Sequence, residues 1–110
     1  MLERTACFGT CPIYKIEIYA EGNGIFTGTK YVEKIGVLKF NITTLQVKEI
    51  IDFAKEINFR NMEERYYEPI TDLPTTYIRI EEKIIEDYFG APRKLKELEN
   101  LIDQIVFNAI

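Results

Sequence analysis

The residues best equipped for chemistry are the only two cysteines, Cys7 and Cys11, in the stretch Cys7-Phe8-Gly9-Thr10-Cys11-Pro12. With three residues between them, the thiols come within bridging range if the loop folds back, and Gly9 supplies the backbone freedom such a turn requires. A ring this small stabilises by only about 2 kcal/mol, so a bridge would shape the loop more than hold the protein together. A structural disulfide or a packed thiol pair is the first reading. A reactive or regulatory pair is the second, although C-x3-C is not the C-x-x-C of thioredoxin-like enzymes. A zinc site is the third. With no histidine in the chain, it would need carboxylates or four thiolates shared by two copies. We therefore expect no metal and no cofactor.

A second motif, Thr71-Asp72-Leu73-Pro74-Thr75-Thr76, combines an aspartate able to accept backbone N–H groups with a proline that sets extended geometry. Asp72 reads as a loop organiser, or as a ligand carboxylate or general base. Glu63, Glu64 and Glu68 share its irregular segment, so carboxylate-based hydrolysis is a further reading. Tyr66, Tyr67 and Tyr88 have rings that could stack on a flat ligand. The ligand-binding candidates are Thr10, Asp72, Thr75 and Tyr88. No residue is assigned a catalytic role: without histidine neither a Ser-His-Asp nor a Cys-His arrangement can form, and the balance leans away from an enzyme.

The elements that must position these motifs are legible. Tyr14, Ile16, Ile18 and Ala20 alternate with Lys15 and Glu17, the pattern of a half-buried strand. Glu21-Gly22-Asn23-Gly24 predicts a hairpin, followed by a strand over 25–31 in which Gly28 marks a bulge or a close backbone approach. Val37 to Ile42 predicts a third strand. Thr43-Thr44-Leu45-Gln46 matches a capping box, and Val47, Ile50, Ile51, Ala54 and Ile57 follow at helical spacing. From Phe59 to Pro74 no period holds, which predicts a long loop. Strands over 75–81 and 84–89 then flank a turn at Glu82-Lys83. Pro92 suits the first turn of a last helix with the apolar stripe Leu95, Leu98, Ile102, Ile105 and Val106, while Lys96 and Glu99 pair on its wetter side. The order βββαββα predicts an α+β fold: an antiparallel sheet of about five strands with two helices packed on one face.

At 110 residues the chain has the length of a single domain, with a core but not two. Fourteen basic against eighteen acidic residues leave a net charge of −4, which argues against sequence-independent binding to nucleic acid. No apolar run reaches membrane-spanning length, so no membrane partner is expected. Abundant Ile, Glu, Lys and Tyr with few Gln lean toward a thermophile's composition, in which an intracellular disulfide is no anomaly. Nothing after Met1-Leu2-Glu3-Arg4 reads as a signal peptide. The expected location is thus cytoplasmic, or exported if a leader has been removed.

Cys7-Phe8-Gly9-Thr10-Cys11-Pro12-Ile13-Tyr14, the turn from Tyr19 to Gly22, Thr71-Asp72-Leu73-Pro74-Thr75 and Tyr88-Phe89-Gly90-Ala91-Pro92, with Leu95, Leu98, Glu99, Ile102 and Asp103, together resemble the domain family DUF6438. The likeness covers nearly the whole chain but implies no activity or ligand. It does imply relatives with bacterial export leaders, which would suit an oxidised Cys7–Cys11 pair. The leading expectation is a non-enzymatic binding or interaction module, with a homodimer through an exposed sheet edge as one form. The alternative is a thiol-based redox or sensing protein using Cys7 and Cys11.

Overall fold

The computed structural model describes residues 1–110. Its strands are β1 (Leu2–Arg4), β2 (Ile13–Ile18), β3 (Asn23–Lys30), β4 (Gly36–Asn41), β5 (Arg65–Tyr66), β6 (Thr76–Ile80) and β7 (Lys83–Asp87). Helix α1 (Thr44–Glu56) follows β4, and α2 (Arg93–Phe107) follows β7. One seven-stranded sheet runs in the order β4-β3-β2-β1-β6-β7-β5.

The α+β class and the two helices match the sequence reading, but the strand count, the order and the purely antiparallel sheet need correction. Two strands were missed. β1 is three residues long, too short for alternation to register, yet it lies mid-sheet, antiparallel to both β2 and β6. β5 is only two residues long and pairs in parallel with β7, making the sheet mixed. It interrupts the predicted long loop, as does a single 3-10 turn at Phe59–Asn61.

Alternation sorts the sheet into two faces. Leu2, Tyr14, Ile16, Phe26, Phe40, Ile78 and Ile85 are buried and join residues of both helices in one core of 18 side chains. The opposite face carries Lys15, Glu17, Lys39, Arg79 and Glu86, none of them buried, so both helices cover the same side. The capping box forms as predicted: Gln46 N donates to Thr43 Oγ1 at 3.0 Å, and Thr43 N to Gln46 Oε1 at 2.9 Å. Gly28 meets both of its expected readings. The β2–β3 register slips beside it, and a Cβ there would lie 2.0 Å from the Lys34 carbonyl oxygen. No helix is long and apolar enough to cross a membrane.

Candidate functional site

Cys7 and Cys11 are joined as a disulfide with their Cα atoms 5.7 Å apart, inside the loop that connects β1 to β2. The bridge closes a small ring, leaving Phe8, Gly9 and Thr10 exposed at its crest. Phe8 is 87% exposed, the most exposed large apolar side chain of the protein.

The second motif lies against this loop because β1 and β6 are neighbours in the sheet, which brings the segment leading into β6 beside the segment leaving β1. Phe8 N donates to the Asp72 carbonyl at 3.2 Å. Thr5 N and Thr5 Oγ1 both donate to the Thr75 carbonyl at 3.0 Å, and Thr75 N donates back to Thr5 Oγ1 at 3.0 Å. Asp72 holds φ at +69°, a left-handed conformation that aspartate tolerates better than most side chains. Its carboxylate faces solvent, and its one side-chain contact is the Thr71 hydroxyl at 3.5 Å.

The remaining sequence candidates separate from this junction by degrees. Thr10 is exposed on the crest of the loop. Tyr88 donates its hydroxyl to the Ile70 carbonyl and stacks on Tyr67 with ring centroids 5.4 Å apart, so these rings occupy each other. Glu63, Glu64 and Glu68 are exposed and share no hydrogen bond with Asp72 or with one another. The two motifs meet as a raised junction. Pro12 lines a cavity of about 350 Å³ under the turn between β3 and β4.

The sequence reading missed the cluster that holds the base of this loop. Arg4 and Tyr14 are register partners where β1 ends and β2 begins. Arg4 Nε donates to Tyr14 Oη at 2.8 Å, and its two terminal nitrogens reach Thr76 Oγ1 at 3.0 Å, Glu99 Oε1 at 3.4 Å and Asp103 Oδ2 at 2.6 Å. Tyr14 Oη donates to Asp103 Oδ1 at 2.7 Å, closing a ring of bonds between the sheet and α2. Burial alone would favour a neutral Arg4, but the charge of Asp103 outweighs it and holds the guanidinium pKa above its ordinary value. Burial, then the bond to Asp103, raises the Tyr14 phenol.

Glu99 is 1% exposed, which corrects its placement on the wetter side of α2. It follows Leu95 by four residues and precedes Ile102 by three, so it belongs to the apolar stripe. Asp87 likewise shares the inward face of β7 with Ile85. Lys96 lies with Asp87, not Glu99: its Nζ is 2.8 Å from Asp87 Oδ2, close as a charge though not aligned as a hydrogen bond. With both carboxyls ionised, Asp87 Oδ1 and Oδ2 and Glu99 Oε2 have no donor. A proton on Glu99 supplies one. Burial first, then the hydrogen bond and charge of Asp87, raise the Glu99 pKa to about 8.

Chemically, then, the charged cluster is an anchor. Every nitrogen of the Arg4 guanidinium is engaged, Tyr14 is held neutral, and Glu99 is pushed toward its protonated form inside the fold. The exposed disulfide crest is what that anchor holds up. No curated protein and no solved structure matches the chain. A family model described as a domain of unknown function, DUF6438, matches residues 1–106, which include the crest, its partner loop and the whole anchoring cluster, and the chain belongs to that family.

Proposed function

We propose that the protein is a non-enzymatic binding module whose recognition element is the Cys7–Cys11 loop, with Phe8 as the anchor that enters a partner. The observation that carries this reading is an 87% exposed phenylalanine on a loop restrained three ways. The ring is closed by the disulfide, its flank is bonded to Asp72 and Thr75, and its base is tied to α2 through Arg4, Tyr14 and Asp103. A bare aromatic ring gains nothing in water. Held rigid, it loses little further entropy on binding, which is what an interface anchor needs.

The test is a random-peptide display library panned against the oxidised protein, with each selected peptide measured again on Phe8→Ser. Peptides that lose at least about tenfold in affinity on that change, and on opening of the disulfide, support the reading. Peptides that bind equally well after both changes contradict it.

A thiol-redox role is favoured by one observation: the bridge lies under an exposed crest, where a small thiol can approach it. A midpoint potential near or above the glutathione range, about −220 to −260 mV, supports that reading. A value below about −300 mV leaves the bond structural.

A further inference from the structure

The two helices carry their charges in an uneven pattern. Six acidic residues lie on α1 and α2; Glu99 and Asp103 belong to the buried cluster, and the other four, Glu49, Asp52, Glu56 and Glu97, all line the groove where the helices meet. Of the five basic residues on the same helices, only Lys48 lines it, and its charge is taken up by Asp52 at 2.5 Å. Arg93, outside the groove, lies 4.0 Å from Glu97, so Glu49 and Glu56 are the two lining carboxylates without a counter-charge. A merely solvated surface would interleave both signs.

Apolar residues line the groove as well. Its volume is about 750 Å³, and Leu45, Phe53 and Leu101 lie along it. Leu45 is 77% exposed, with no neighbour of its own fold to cover it. Leu45 and Phe53 are eight residues apart on α1, a separation of about 12 Å along the axis. An occupant helix matches that spacing with apolar residues at positions i and i+7 or i+8. An extended strand has no counterpart here, because the backbone groups of both walls are already bonded within their helices.

We infer that the α1–α2 groove docks a basic amphipathic helix of a partner protein, its apolar stripe on Leu45, Phe53 and Leu101 and its lysines or arginines facing Glu49 and Glu56. This surface is separate from the Phe8 crest, and the inference stands independently of the reading given to that crest.

The experiment titrates the 110-residue protein, observed by amide NMR, with an amidated peptide of about four helical turns made of Leu, Ala and Lys, its leucines at helical spacing. Two control peptides accompany it: one with Glu in place of every Lys, the other with the same composition scrambled so that no stripe forms. The expected result is saturable binding of the first peptide alone. Its shifts should map to α1 and α2, and affinity should drop at least about tenfold in 0.5 M salt and in the surface variants Glu49→Lys/Glu56→Lys and Leu45→Ser/Leu101→Ser. Equal binding of the scrambled peptide would show attraction by charge alone and overturn the inference. So would shifts centred elsewhere, no saturation at millimolar peptide, or self-association that Glu49→Lys/Glu56→Lys abolishes, which would assign the groove to a second copy. Leu45, Glu49 and Glu56 are exposed and Leu101 is half-buried, and an unchanged amide spectrum in the free state verifies the fold of each variant.

Discussion

The crest at Cys7–Cys11 and the cluster around Arg4 are opposite ways of using polar and reactive residues. At the crest, the polar bonds are mostly backbone, the side chains of Thr10 and Asp72 face water, and the apolar Phe8 is outside. In the cluster the order is inverted: Arg4, Tyr14, Glu99 and Asp103 lie between the sheet and α2, bonded to one another, with the buried Asp87 beside Glu99. The difference teaches which part carries load and which part is presented. A motif with cysteines draws attention first, but its bridge adds about 2 kcal/mol, whereas breaking a buried ion network costs about 3–5 kcal/mol.

That contrast orders the expected effects of mutation. Arg4→Ala is the most damaging, because it leaves Asp103 and Glu99 facing a void with their counter-ion gone; chemical denaturation should show a loss of about 3–5 kcal/mol. A loss below 1 kcal/mol would mean that the cluster is not the anchor. Next comes pH. Glu99 titrates near 8 when folded and near 4.5 when free, so the folded state binds more protons between these values. Its contribution is therefore full below about 4.5 and is lost as pH rises through about 8, with a slope of at most about 1.4 kcal/mol per pH unit. Unfolding free energies measured from pH 5 to 9 should fall accordingly. Glu99→Gln, which keeps a donor toward Asp87 but cannot ionise, should flatten that part of the curve.

Smaller effects belong to the crest. Cys7→Ser with Cys11→Ser should cost about 2 kcal/mol in denaturant midpoint analysis while leaving β1–β2 pairing intact. A larger loss would shift the load from the cluster to the bridge. Asp72→Gly should be neutral or stabilise by up to about 0.5 kcal/mol, since glycine accepts a φ of +69° without strain. Phe8→Ser should leave the melting temperature unchanged, as its side chain covers nothing.

Much of the fold was legible because it rests on pattern. The capping box at Thr43, the stripe of α2 and the β2 alternation are periodic signals that the packed structure uses as they stand. β1 and β5 lacked the length to show a period, and their pairing depends on partners distant in sequence. Cys7, Cys11 and the Asp72 loop were found by residue type, and they do meet. The anchoring cluster was not found, because Arg4, Asp87 and Glu99 look like ordinary surface charges one at a time. Their signal was positional: each occupies an inward slot, after Leu2 on β1, after Ile85 on β7 and between Leu95 and Ile102 on α2. Reading the pattern for charges where apolar residues belong would have exposed them.

A preformed Phe8 anchor requires a crest that is held stiff in solution. Amide ¹⁵N relaxation over residues 7–11 of the oxidised protein measures this directly. Order parameters near about 0.85, equal to those of β1 and β2, are the predicted result. Values below about 0.6 across the crest would show a loop that the disulfide, the Thr5–Thr75 bonds and the Arg4 cluster do not restrain, and would contradict the preformed anchor proposed above.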